Sequence, residues 1–357
     1  MVNLDVMTQS NSWPQILGKL LAKHALTRGE ADWAMSQIMA GDASDAQVGA
    51  FMLAMRSKGE TVDELAGLVD VMLRNAVILD TGSDAVDIVG TGGDMVGTVN
   101  ISSMASVLAA GAGIPIMKHG SRSASGKTGS SEMLEVLGIR LDLSPERVAD
   151  VFREVGITFF FAPVFHPAMR YVAPIRRELG IPTTFNFLGP LANPAQPIAT
   201  ALGVANGSVA PLMAEEVAKR GRTALVFRGQ DGLDELSITG PSDVWEVSGG
   251  EVRHSVLDPE RFGFPLASLD DLLGGDPQHN AQVAKSLFEG KLSGPVADVV
   301  KLNASSALVA YELAKTPSAA DKDIDERFAV ALQRVTVALE SGAAGTKLSE
   351  WMTATQM

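Results

Sequence analysis

The chain has no cysteine among its 357 residues, which excludes disulfides and thiolate metal sites and permits a reducing compartment. Aromatic residues are scarce at 5%, so rows of base-stacking platforms for single-stranded nucleic acid are not expected. Positive charge is also short: 29 Lys and Arg stand against 42 Asp and Glu, a net charge of −13. With no run of basic residues, the electrostatic footprint of a nucleic-acid binder is missing. No apolar run reaches the roughly 18 residues of a membrane span. The opening MVNLDVMTQSNSWPQ lacks the basic and apolar regions of a signal peptide. A cytoplasmic protein is expected, with no nucleic-acid or membrane partner. An anionic ligand would have to be met by a local field of backbone N–H groups, a few cations or a metal.

What is present is an ordinary globular composition, 46% apolar and 20% charged, on a length that suits two domains. Residues 13–77 read as consecutive helices. Thr27 with Glu30, Ser44 with Gln47 and Thr61 with Glu64 each have the spacing of a capping box, followed by apolar residues at helical intervals. VDIVG (86–90), IPIMKHG (114–120), ITFFFAP (157–163) and TALVFRG (223–229) read as strands. Between them lie helical stretches at 100–112, with Asn100 or Ser102 near the N-cap, at 130–138 and at 144–156. VWEVSGGEVRHSV (244–256) reads as a hairpin about Gly249-Gly250, and the chain from about 279 is helical. Alternating strands and helices predict a mostly parallel α/β sheet flanked by helices. The fold class is therefore α/β, a small all-helical domain joined to a larger α/β domain. We expect residues 1–80 plus about 167–197 in the helical domain, and 81–166 plus 198–357 in the α/β domain.

Four segments carry chemistry. GTGGD (90–94) follows a strand and precedes a helix, where glycines let the backbone approach an anion, though a simple tight turn has the same sequence. Its spacing matches neither the dinucleotide fingerprint nor the P-loop. KHGSRSASGKTGSS (118–131) gathers Lys, Arg, hydroxyls and glycines, as a phosphate site or a solvated loop would. In GLDELS (232–237), Asp234 and Glu235 are hard oxygen ligands suited to Mg²⁺, or a wet surface turn. In FHPAMRYVAPIRRELG (165–180), an inward-facing Arg176 could hold a carboxylate, while His166 beside Pro167 reads as structural.

In this order, from about residue 14 to 350, the segments resemble the anthranilate phosphoribosyltransferase family. The resemblance implies transfer of the 5-phosphoribosyl group from 5-phosphoribosyl-1-pyrophosphate (PRPP) to anthranilate, with release of pyrophosphate, in tryptophan biosynthesis. It implies that PRPP is held by Gly90, Gly93, Asp94, Thr98, Asn100, Ile101, Ser102 and Ser103 on one side. On the other it implies Lys118, His119, Gly120, Ser121, Arg122, Ser123, Ala124, Ser125, Gly126 and Ser130. Lys118, His119 and Arg122 would position the reacting groups electrostatically. Gly90, Ser121 and Arg176 would meet anthranilate, Ser102, Asp234 and Glu235 would hold Mg²⁺, and two copies would pair through the helical domain. Five positions depart from the family pattern: Ser121 stands for Asn, Gly126 for Ser, Ser131-Glu132 for Ala-Asp and Val99 for Phe. Because Ser121 and its neighbours adjoin the acceptor, another aromatic acceptor is an alternative. A pyrimidine nucleoside phosphorylase and a non-catalytic nucleic-acid-binding relative are further ones.

Overall fold

The protein is described from a computed structural model covering residues 11–79, 81–122 and 128–357. Four helices come first: α1 (Trp13–Leu21), α2 (Arg28–Ala40), α3 (Asp45–Lys58) and α4 (Val62–Arg74). All three expected capping boxes form, at the starts of α2, α3 and α4. The α/β part follows as β1 (Val86–Gly90), α5 (Ile101–Gly111), β2 (Ile116–Gly120), α6 (Ser130–Leu137), α7 (Pro145–Val155) and β3 (Ile157–Phe161). Three short helices, α8 (Ala162–Phe165), α9 (Ala173–Leu179) and α10 (Phe185–Leu191), come next. Then come β4 (Ala199–Gly203), α11 (Ala210–Lys219), β5 (Thr223–Gly229) and the hairpin β6 (Ser242–Ser248) and β7 (Glu251–Leu257). Four helices close the chain: α12 (Pro277–Phe288), α13 (Pro295–Lys315), α14 (Ile324–Glu340) and α15 (Ala343–Gln356).

The strands make one sheet in the order β3-β2-β1-β4-β5-β6-β7. β3 through β5 are parallel, and the last two strands are antiparallel. After β3 the chain returns to the far side of β1, so the strand order reverses between β1 and β4. Such a switch point opens a crevice at the carboxyl ends of the strands. Successive strand residues face opposite ways. Val86, Ile88, Ala201, Leu225 and Phe227 join a core roofed by α5 and the C-terminal helices. Val89, Leu202, Ala224 and Val226 join a second core, shared with α1 to α4 and α9 to α11. The N-terminal helices are therefore cemented to one face of the sheet, with α9 against α3, and α10 and α11 against α4. Arg220 of α11 adds polar ties to Asp70 (2.9 Å) and the Ala66 carbonyl (3.1 Å) of α4.

β4 was not expected from the sequence. ATALG has no β-branched run to announce a strand, yet it is central and paired on both sides. Asn100 does sit at the N-cap of α5, but its side chain makes no capping bond. It is held sideways instead, by Thr128 and Asn280.

Glu64 shows how the helical part is locked. Its carboxylate is fully buried and accepts from Leu26 N (2.7 Å), Thr61 N (2.8 Å) and Lys58 Nζ (2.8 Å). Removing it leaves a buried ammonium without its partner. Glu64→Ala is therefore expected to destabilise the protein by about 3–5 kcal/mol, and Glu64→Gln by less. Denaturant titration checks this, and an unchanged midpoint for Glu64→Ala would contradict it.

Candidate active site

The carboxyl ends of β1 and β4 are crossed by the segment carrying Asp234 and Glu235. Gly90 and Gly203 are register partners in the two strands. A Cβ on Gly90 would overlap the Asp234 carboxylate, and one on Gly203 would overlap the Asp234 carbonyl. The acidic segment can lie this low only because both positions lack side chains. Asp234 Oδ2 then accepts from Gly92 N (2.6 Å), and Glu235 Oε1 accepts from Ser102 N (3.1 Å) at the first turn of α5. The glycine loop takes left-handed backbone angles at Gly92, Gly93, Met95 and Gly97. Gly97 to Val99 is fastened to residues 272–274 by backbone bonds.

Lys118, at the middle of β2, is buried beneath this segment. Its Nζ donates to the Ile88 carbonyl (2.5 Å) and to Ser102 Oγ (3.3 Å). Burial lowers its pKa, opposed by Asp87, Glu235 and Asp234. Asp87, inside β1, is pushed up to about 6 by burial, while Lys118, Asn193 and the His119 N–H hold it down. Burial also pushes Asp234 up to about 7, with the Asp94 charge adding to the rise. Glu235 is raised well above the ordinary range by burial and by Asp234. The site therefore contains more negative charge than its own cation neutralises, as expected where a further cation belongs.

That donor set fits Mg²⁺. It consists of two adjacent carboxylates and a nearby hydroxyl, all hard oxygens. Among the described residues no three acidic or imidazole groups form a metal-binding cluster. An ion here would thus complete its shell with waters and ligand oxygens, the usual habit of Mg²⁺.

A cleft of about 200 Å³ opens beside the glycine loop, lined by Gly92, Gly93, Asp94, Pro182, Asn186 and Arg56 among others. Arg176 of α9 adjoins it, with Nη2 donating to Asn186 Oδ1 (3.3 Å). Burial lowers the Arg176 pKa, and among the described residues no carboxylate pairs with it. A half-buried guanidinium without an acid is suited to receiving one from a ligand. A second cavity behind α10, lined by Glu216, Arg220 and Arg222, has about 20 Å³, room for roughly one water.

The structure thus brings Gly90, Gly93, Asp94, Ser102, Lys118, Asp234 and Glu235 to one edge of the sheet, with Arg176 beside the cleft. Gly120 ends β2, where a Cβ would strike Ser130 Oγ and the Phe159 ring, and Ser121 is exposed just beyond it. Ser130 Oγ donates back to the Ser121 carbonyl (3.3 Å). Ser123, Ala124, Ser125 and Gly126 lie outside the described residues. Four expected residues are turned away. Ile101 and Ser103 bury their side chains, so any approach to a ligand is through backbone. Arg122 pairs with Glu135 (3.0 Å) and lies over the Phe161 ring (5.9 Å). The His119 ring is buried against His166, its centroid 5.1 Å away, with Nδ1 at 3.1 Å from the Gly189 carbonyl. Burial lowers His119 to about 3 and His166 to about 4. Burial thus disfavours a positive charge on the His119 ring.

Sequence reading missed Asp87, Asn193, Gly203 and Asn186. An acid inside the apolar VDIVG was the available signal for Asp87. The other three contribute through contacts that local sequence does not announce. Gly203 is the sharpest case: Gly203→Ala should force the Asp234 segment outward and cost about 1–3 kcal/mol, measured as a lowered melting temperature. An unchanged melting temperature would contradict this close approach.

Comparison with known proteins agrees with this layout. Residues 82–345 match a family model described as "Glycosyl transferase family, a/b domain", and residues 14–76 match its "helical bundle domain". The chain is 53% identical to the anthranilate phosphoribosyltransferase of Leifsonia xyli subsp. xyli, covering 98% of this chain and 100% of that protein. A crystal structure of the Thermus thermophilus anthranilate phosphoribosyltransferase superposes with a TM-score of 0.85 at 38% identity, covering 96% and 99% of the two chains. The Saccharomyces cerevisiae enzyme in complex with PRPP and Mg also superposes at 0.85, with 26% identity over 96% and 98%.

Proposed function

The chain belongs to the anthranilate phosphoribosyltransferase family, and from that premise we propose that it transfers the 5-phosphoribosyl group of PRPP to the amine of anthranilate, releasing pyrophosphate. The observation that carries the reading is the buried pair Asp234 and Glu235 facing Lys118 across the switch point, with Arg176 unpaired beside the cleft. Full-length relatives named for anthranilate favour it over another aromatic acceptor next to Ser121, and over a nucleoside.

Asp234, Glu235 and Ser102 would hold Mg²⁺, which when bound neutralises and orients the pyrophosphate. The chain's own residues do the rest. Lys118 and the glycine-loop N–H groups stabilise charge that grows on the departing pyrophosphate as the C1–O bond breaks. Arg176, steadied by Asn186, binds the anthranilate carboxylate and points the amine toward C1. An aryl amine is already neutral at pH 7, so its lone pair can form the N–C1 bond without a strong base, and the extra proton then left on nitrogen passes to water or to the released pyrophosphate. That suits a site in which no described residue is an activated nucleophile and burial disfavours charge on His119.

Our reading of the domains is residues 1–80 plus about 167–197 as the helical unit, supported by the packing of α9 on α3 and α10 on α4. Pairing of two copies through that unit, and a cytoplasmic location, belong to the same reading. Exposed Leu21 and Leu53 support the pairing.

Loss of anthranilate fluorescence on mixing with PRPP and Mg²⁺ tests the function, and no loss at any enzyme concentration would sink it. In the same assay, Asp234→Asn combined with Glu235→Gln should reduce kcat by at least about two orders of magnitude while circular dichroism is unchanged. Undiminished turnover would remove the metal assignment. Arg176→Ala should raise the KM for anthranilate roughly tenfold or more and leave that for PRPP in place. An equal rise in both would show that Arg176 does not select the acceptor.

A further inference from the structure

Asn280 lies in the first turn of α12, is 2% exposed, and belongs to none of the four chemistry-bearing segments. Its Oδ1 accepts from Gly275 N (2.8 Å) and its Nδ2 donates to Asn100 Oδ1 (2.9 Å). Asn100 Nδ2 in turn donates to the Thr128 carbonyl (3.3 Å), and Thr128 Oγ1 donates to the Gly275 carbonyl (2.8 Å). The four residues close a ring of hydrogen bonds. Backbone groups fix both amide orientations, because Gly275 N–H can only donate and the Thr128 carbonyl can only accept. Rotating either amide would set donor against donor or acceptor against acceptor.

The ring joins two places far apart in sequence. Asn100 caps the helix that follows the glycine loop, and Thr128 ends the loop that begins at β2. The neighbouring backbone reinforces it: Gly274 N donates to the Gly97 carbonyl (2.9 Å) and Val99 N to the Leu272 carbonyl (2.9 Å). A Cβ on Gly274 would lie 2.7 Å from the Thr98 carbonyl oxygen and 2.9 Å from Asn280 Oδ1, so the segment is pressed onto the loop. We propose that Asn280 is a positioning residue for PRPP, fixing the spacing between its two binding loops through the Asn100–Thr128–Gly275 ring. The proposal rests on the function reading above for what those loops bind. It adds a group that touches no substrate and belongs to a third segment, residues 272–280.

The test uses the full-length enzyme with Asn280→Ala, Thr128→Val and both together. Thr128→Val should raise the KM and the calorimetric Kd for PRPP roughly three- to tenfold, the value of one lost hydrogen bond, and Asn280→Ala, which loses two, by at least as much, while the KM for anthranilate stays constant. Thr128→Ser, which keeps the hydroxyl, should behave as wild type. Because both substitutions open one ring, the double variant should lose less than the product of the single effects. Unchanged PRPP binding in Thr128→Val, an equal shift for both substrates, or fully multiplicative effects would each overturn the proposal. Thr128→Val decides the matter alone if Asn280→Ala does not fold. Wild-type turnover in the same series reports separately on the function reading. If that fails, PRPP calorimetry on the variants still reads the ring.

Discussion

Two backbone N–H groups hold the acidic pair in place, and the arrangement of the cleft follows from them. Gly92 N–H reaches Asp234 and Ser102 N–H reaches Glu235, each across more than 130 residues of sequence. These bonds draw one loop from β1 and another from β5 over the point where the strand order reverses. They require glycine at both Gly90 and Gly203, since a side chain at either position would occupy the space of Asp234. They also leave two carboxylates in a buried place with one buried lysine for company. That excess of negative charge makes the site a receptor for a metal-bound anion.

The two cores divide the labour. The one roofed by α5 and the C-terminal helices fixes the sheet and the start of α5, and so the PRPP side. The other joins the sheet to the helical bundle and to α9 and α10, which carry Arg176 and Asn186. On the proposed function, metal and phosphate ligands would stand mainly on strand ends and a helix start. The cation proposed for the acceptor, Arg176, stands on a short helix docked against the bundle. Interactions that fix one substrate are largely separate from those that fix the other, as a reaction bringing together two unlike molecules requires.

Local physics made much of this legible in the sequence. Three capping boxes, the glycine endings of β1 and β2 and the Gly-Gly hairpin are written in neighbouring residues, and they formed as expected. The four chemistry-bearing segments were legible for the same reason, because each is dense in polar groups between two apolar runs. What was not legible is long-range. β4 is built of Ala, Thr, Leu and Gly, and its central place comes from its neighbours rather than its own propensity. Asn100 has the residue type of an N-cap, yet its amide is engaged by a residue 180 positions away. His119 stands between a lysine and a glycine in an anion-binding segment, but strand alternation turns its ring away from Lys118, into an apolar layer that disfavours charge on it.

On the proposed function, this charge imbalance is resolved when metal and pyrophosphate arrive together. Calorimetric titration of PRPP into the protein, with and without Mg²⁺, measures that coupling. Tight, saturable binding is expected with Mg²⁺ and at least about a tenfold weaker affinity without it. Equal affinity in the two titrations would contradict it.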